Sequence, residues 1–309
     1  MQATNQRAWH ARLALMLILG VAAAAACVAM FMLWKAPASS AADETSPTDA
    51  SFVVRCEFSH RAKVDPIVDF GGTADHMHDI FGNTTTKANS TYATLRAGGT
   101  TCSKPGDTAA YWIPKVSWKD SRRTTALTAN QGLFYYRLAD KDPNVDLPPH
   151  PALPIDKPVD GLKVVTVQGS NVEWRCAFGT WSTSPPTQCN NGKLIVRIKF
   201  PDCLKVDANR QPLLDSADHR LHMVHADLQA NGVRQCPPTH PYAVPRLQMN
   251  IQFPIPTTRG NVKLSSGDYT TMHADFFNAW DQPKLADLVN RCINAGPFTA
   301  SNQKPPDCL

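Results

Sequence analysis

The residues of this sequence best suited to chemistry are histidines, and they come in four groups. Asp75-His76-Met77-His78-Asp79 carries two imidazoles at i and i+2. On a strand such side chains point to one side, with Cα atoms about 7 Å apart, close enough to share one metal ion or one substrate. The second group runs Asp218-His219-Arg220-Leu221-His222-Met223-Val224-His225-Ala226-Asp227. Its three-residue spacing brings neighbours together on a helical turn, whereas a strand would pair His219 with His225. The third is Thr239-His240-Pro241, just after Cys236. The fourth opens with His273-Ala274-Asp275 and runs to Asp281.

Two chemistries suit such a set if His76, His78, His222, His240 and His273 converge on one site. A neutral imidazole, with a pKa near 6.5, exchanges protons at ambient pH. His78, His222 and His273 are then the proton-handling candidates, with Asp275 orienting one ring. His219, His240, Asn278, Trp280, Tyr111 and Trp112 would contact the substrate. Glycoside hydrolysis by two opposed carboxylates is less favoured. Asp75, Asp218, Asp275 and Asp281 are all present, but nothing singles out a pair. A lyase-like or histidine-assisted reaction on an extracellular polysaccharide is therefore preferred. In the alternative, three imidazoles hold a zinc or copper ion, with His76, His78 and His222 as the ligands. A third reading is a non-catalytic structural or interaction module, either a scaffold or a lectin-like groove that binds glycan without chemistry, with no cofactor. Asp-His and His-Pro pairs also serve as ordinary turn chemistry, and most aromatic residues of a β-sandwich belong to its core.

Six stretches resemble, in order, the motifs of the DUF1996 family. They are DPIVDFGGTADHMHDIFGN (Asp65 to Asn83), YWIPKVSW (Tyr111 to Trp118), FPDC (Phe200 to Cys203), SADHRLH (Ser216 to His222), CPPTHPYAVPRL (Cys236 to Leu247) and MHADFFNAWD (Met272 to Asp281). The resemblance covers Phe52 to Cys292. It implies an exported domain of a kind found in fungi and bacteria, and it supplies no activity. The family pattern maps onto His76, His78, His219, His222, His240, His273, Asp275, Asn278, Trp280 and Asp281. His225 matches no family position, and Ala279 stands where a glycine is usual.

The elements that must position these residues read as mainly β. In Leu247 to Phe253 every apolar residue falls on one face and every polar one on the other, and Leu194, Val196, Ile198 and Phe200 repeat the pattern. Val172, Trp174 and Cys176 form a shorter row. Gly132 to Leu138 and Leu162 to Gln168 are rich in β-branched or aromatic residues. One helix is expected late: Leu285, Leu288, Val289 and Cys292 follow i, i+3, i+4, i+7 spacing, with Asp281 or Gln282 as cap and Pro283 in the first turn. The expected architecture is an antiparallel sandwich or jelly-roll-like body with a short C-terminal helix and disulfide-stapled loops. Pro143 to Pro158 carries six prolines and is expected to be an extended loop within one domain.

The N-terminal segment decides the compartment. Residues 1–12 form a short basic tail. Leu13 to Trp34 is an uncharged, proline-free apolar run, about 33 Å long as a helix against a bilayer core of roughly 30 Å. Arg7 and Arg12 precede it, and no acid occurs before Asp43, so the N-terminus is expected inside and the domain at 52–309 outside. The alternative is a secreted chain cut near Ala42. Residues 35–51 are small, polar and proline-bearing, which suits a flexible stalk.

Cysteine usage agrees with export. Cys27 lies in the apolar run. The other eight suit four disulfides, expected as Cys292 with Cys308, Cys203 with Cys236, Cys176 with Cys189 and, by remainder, Cys56 with Cys102. Eight cysteines allow about a hundred pairings, so the existence of the framework is the firmer expectation. With 31 Lys and Arg against 26 Asp and Glu, and no basic stretch interleaved with aromatics, nucleic acid is excluded as a partner. The expected partners are the lipid bilayer, through residues 13–34, and a polysaccharide.

Overall fold

A computed structural model of the chain describes residues 49–138, 160–167, 171–228, 234–296 and 298–309. The basic tail, the run Leu13 to Trp34 with Cys27, nearly all of the stalk and the Pro143 to Pro158 loop lie outside the described residues. Among the described residues no helix is long and apolar enough to cross a membrane.

The alternating rows of the sequence become two five-stranded antiparallel sheets. In chain order the ten strands are β1 (Ser51–Cys56), β2 (Phe58–Ala62), β3 (His78–Gly82), β4 (Ala110–Pro114), β5 (Gln131–Arg137), β6 (Lys163–Val167), β7 (Val172–Cys176), β8 (Lys193–Lys199), β9 (Arg246–Pro254) and β10 (His273–Phe277). The first sheet has the order β1-β5-β9-β8-β7 and the second β2-β3-β4-β10-β6. One apolar core draws on one face of each sheet. Phe52 and Val54 of β1, Phe134 and Tyr136 of β5 and Met249 and Ile251 of β9 meet Phe81 of β3, Tyr111 of β4 and Phe276 of β10. This is the sandwich-like β fold that the alternation predicts.

The other face of the second sheet has a small core of its own. Ile80, Trp112, Val165 and Phe277 pack there with Ile67 and with Leu95 from a one-turn helix, α1 (Tyr92–Arg96). No periodicity marks a five-residue helix. A capping box, in which Thr91 and Thr94 exchange side-chain and backbone hydrogen bonds, holds it. The helix expected late is α2 (Gln282–Val289). Asp281 accepts from the Lys284 amide as its cap, and a π-turn at Asn290–Asn294 continues it.

Gln248, Asn250 and Gln252, on the polar face of β9, are buried along with the apolar face. They hydrogen-bond laterally, Gln248 to Asn250 at 3.0 Å and Gln252 to Asn130 at 3.1 Å. The four disulfides join Cys56–Cys102, Cys176–Cys189, Cys203–Cys236 and Cys292–Cys308, the pairing expected from the sequence. Each closes a loop and typically contributes about 2–5 kcal/mol in a domain of this kind. Such a framework is the mark of an exported protein.

Candidate metal centre

Strand alternation explains why the outer face of the second sheet carries chemistry. On β10, Ala274 and Phe276 face the main core, so His273 and Asp275 face outward beside Phe277. On β3, Phe81 faces the core and His78 shares the outward face with Ile80. Strand β4 lies between them, with Pro114 opposite His78 and Trp112 opposite Asp275. His76 reaches the same point from the bend before β3. The His-x-His pair is therefore not carried on one strand as expected. Even so, its ring centroids lie 4.4 Å apart.

Two of the three rings are held by their far nitrogens. His78 Nδ1 donates to the Val64 carbonyl at 2.9 Å, and His273 Nδ1 donates to the Thr271 carbonyl at 2.9 Å. A carbonyl can only accept, so both neutral rings carry their proton on Nδ1 and present a bare Nε2. Those Nε2 atoms lie 3.4 Å apart, and His76 Nε2 is 3.2 Å from His273 Nε2. His76 can supply a proton to one of these contacts, but none remains for the pair His78 and His273. Protonating the rings is resisted. Burial lowers the pKa of all three; neighbouring imidazoles add to the shift at His78 and His273, taking His78 down to about 3, while Asp65, Asp75 and Asp69 oppose it at His76. Bare lone pairs facing one another are the geometry of ligands around a cation. Tetrahedral zinc at about 2.0–2.1 Å from each nitrogen puts its ligands about 3.3–3.4 Å apart.

Two carboxylates complete the surroundings. One ligand atom each from Asp65, His78 and Asp275 lies within 4.8 Å of the others. Asp65 Oδ1 accepts from the Ile67 and Val68 amides, both at 2.9 Å, which fixes the carboxylate at the head of the loop before β3. Asp275 is 1% exposed, and neither of its oxygens has a hydrogen-bond partner among the described residues. Its Oδ2 lies 4.0 Å from His273 Nε2. Burial, reinforced by Asp65, pushes its pKa well above the ordinary carboxylate range. A buried carboxylate left unpaired in this way costs stability that an adjacent cation would offset. The group opens on a cleft of about 310 Å³, whose walls include Asp69, Asp75 and Arg220.

The remaining candidates lie elsewhere. His222, expected as a ligand, has both ring nitrogens engaged, with the Ser216 hydroxyl at 3.0 Å and the Lys163 carbonyl at 2.6 Å; His273 takes its place in the trio. His219 bonds Asp215 at 2.9 Å, and His240 donates to the Leu221 carbonyl at 3.0 Å. Neither lines the cleft. The residues expected to contact substrate at Tyr111, Trp112, Asn278 and Trp280 are all buried, so none can offer a face to a sugar. Tyr111 and Trp280 both bond the Tyr136 hydroxyl in the main core, and Asn278 accepts from the Trp280 amide. The N-terminus of α2 does not line the cleft either. Sequence reasoning did not single out Asp65 or Arg220, although each stands inside a quoted motif, one at the head of DPIVDFGG and the other within SADHRLH.

The family described as a domain of unknown function, DUF1996, matches residues 65–280, more than half of the chain, and the chain belongs to it. No curated protein and no solved structure matches. The matched span contains the three converging histidines and both carboxylates.

Proposed function

We propose that this member of the DUF1996 family is an exported metalloprotein with a zinc-type centre held by His76, His78 and His273. The observation that carries the reading is the pair of bare Nε2 atoms 3.4 Å apart on rings whose tautomers are fixed by backbone carbonyls. The spacing also bears on the metal. Adjacent nitrogens of a tetragonal copper(II) site at about 2.0 Å would approach to about 2.8 Å, shorter than the contacts here, whereas the tetrahedral edge fits. Asp275 supplies the negative charge beside the cation, and Asp65 stands behind it.

Three protein nitrogens and an open cleft are the pattern of a catalytic rather than a structural zinc, with the fourth position left for water or substrate. Such an ion lowers the pKa of bound water toward 7 and polarises a carbonyl or phosphoryl oxygen. Asp275 is placed to orient that water. The polysaccharide reading loses its aromatic platform to the core, and the metal reading takes precedence over it. The membrane anchor at Leu13 to Trp34, N-terminus inside, remains part of the proposal, resting on its length and on Arg7 and Arg12.

Alanine at His78 or His273 tests the centre directly. Each variant should lose stoichiometric zinc, and the pair together should be no worse than either alone, since ligands to one ion act as a unit. Unchanged zinc content in either variant would sink the proposal.

A further inference from the structure

Several polar residues of family motifs that the centre leaves unused hold a single loop. Asp215 accepts from His219 Nδ1 at 2.9 Å and pairs with Lys163 at 3.2 Å. Asp218 accepts from the Ser216 hydroxyl and from the amides of Arg220 and Leu221, at 2.7, 3.1 and 2.9 Å. His222 donates to the Lys163 carbonyl at the start of β6, and His240, four residues after the Cys203–Cys236 disulfide, donates to Leu221. His219 itself is held at φ +59°, a left-handed conformation that a non-glycine residue keeps only when its surroundings impose it.

At the apex of this braced loop stands Arg220. It is exposed, it lines the cleft, and its guanidinium makes no hydrogen bond or ion pair among the described residues. The cleft carries charges of both signs. His76 feels the charges of Asp65, Asp75 and Asp69, while His273 and Asp275 feel Asp65 first and Arg220 after it, so that Arg220 is the cation this acidic cleft sets against its carboxylates. A planar guanidinium fork matches a carboxylate or a phosphate with two parallel hydrogen bonds, a match that a neutral hydroxyl cannot reproduce.

We infer that Arg220 is the specificity residue of this cleft and receives an oxyanion, a carboxylate or a phosphate ester, carried by the substrate whose reacting bond lies at the metal. The inference rests on the metalloprotein reading for the reacting end of the substrate. It rests on the loop alone for the anion end.

The test is calorimetric titration of the full-length chain in detergent, zinc-loaded, with inorganic phosphate, D-glucuronate and D-glucose. At least one oxyanion should bind and glucose should not; the phosphate and glucuronate arms tell which oxyanion is preferred. R220Q should weaken the preferred oxyanion tenfold or more at unchanged zinc content, and R220K should recover part of the loss, having charge without the fork. The proposal is overturned if R220Q binds the oxyanion as tightly as wild type, which would leave the metal alone as the anion site. It is equally overturned if glucose binds as well as the oxyanions, or if neither oxyanion binds. Zinc content, read separately, reports on the metal centre. Should the chain hold no zinc, the same ratio of wild type to R220Q in the metal-free chain decides the role of Arg220 by itself.

Discussion

Asp275 is the residue at which stability and function conflict. Its carboxyl group is buried, unpaired and pushed toward its neutral form, next to three imidazoles that burial keeps neutral as well. Without a cation the side chain is a liability. Asparagine has nearly the same shape and no charge to bury, so Asp275→Asn should raise the melting temperature of the metal-free chain. The same change should weaken zinc about tenfold to a hundredfold, the usual effect of removing a group that supports metal ligands. Thermal melts of the metal-free protein and chelator competition on the loaded one check the two halves. A variant that is both less stable and unaltered in zinc affinity would make Asp275 an ordinary core residue.

At the level of elements, the loop from Asp215 to His222 gives Arg220 to the wall of the cleft and no ligand to the proposed metal centre. His222→Ala removes the bond to the Lys163 carbonyl and frees the loop, but it touches no ligand. It should therefore keep one zinc per chain and lower oxyanion affinity to the same degree as R220Q; loss of zinc instead would return His222 to the ligand set. How legible this was depends on the element. The apolar rows of β8 and β9 and the Leu285, Leu288, Val289 stripe of α2 each turn one face to the core, so their pattern survives in the sequence, although β9 buries its polar face as well. The fourth position of that stripe, Cys292, falls in the π-turn and is buried as expected. The one-turn α1 buries only Leu95 and leaves no period to read. The histidine groups were legible as polar clusters, but spacing cannot say which strands become neighbours. His78 and His273 meet because β4 separates β3 from β10, a fact of topology. Tyr111 and Trp280 looked like sugar platforms for the same reason: sequence does not show which face of a strand, or which loop, turns inward.

At the level of the whole molecule, two five-stranded sheets with smaller ones beside them, four disulfides and a polar cleft describe an exported domain, with the proposed anchor at Leu13 to Trp34. Protease added to intact cells should release the domain and leave a small N-terminal fragment in the membrane. A mature chain beginning near Asp43 would show cleavage instead. The architecture positions the proposed metal centre: its ligands come from two strands of one sheet and one adjoining bend, and backbone carbonyls orient two of the three rings, His78 and His273. Elemental analysis of the purified full-length protein, after zinc loading and removal of free ion, tests that centre most directly. The account predicts one zinc per chain in the wild type and none in His273→Ala. A wild-type chain that stays metal-free, or a His273→Ala chain that keeps its zinc, would contradict it.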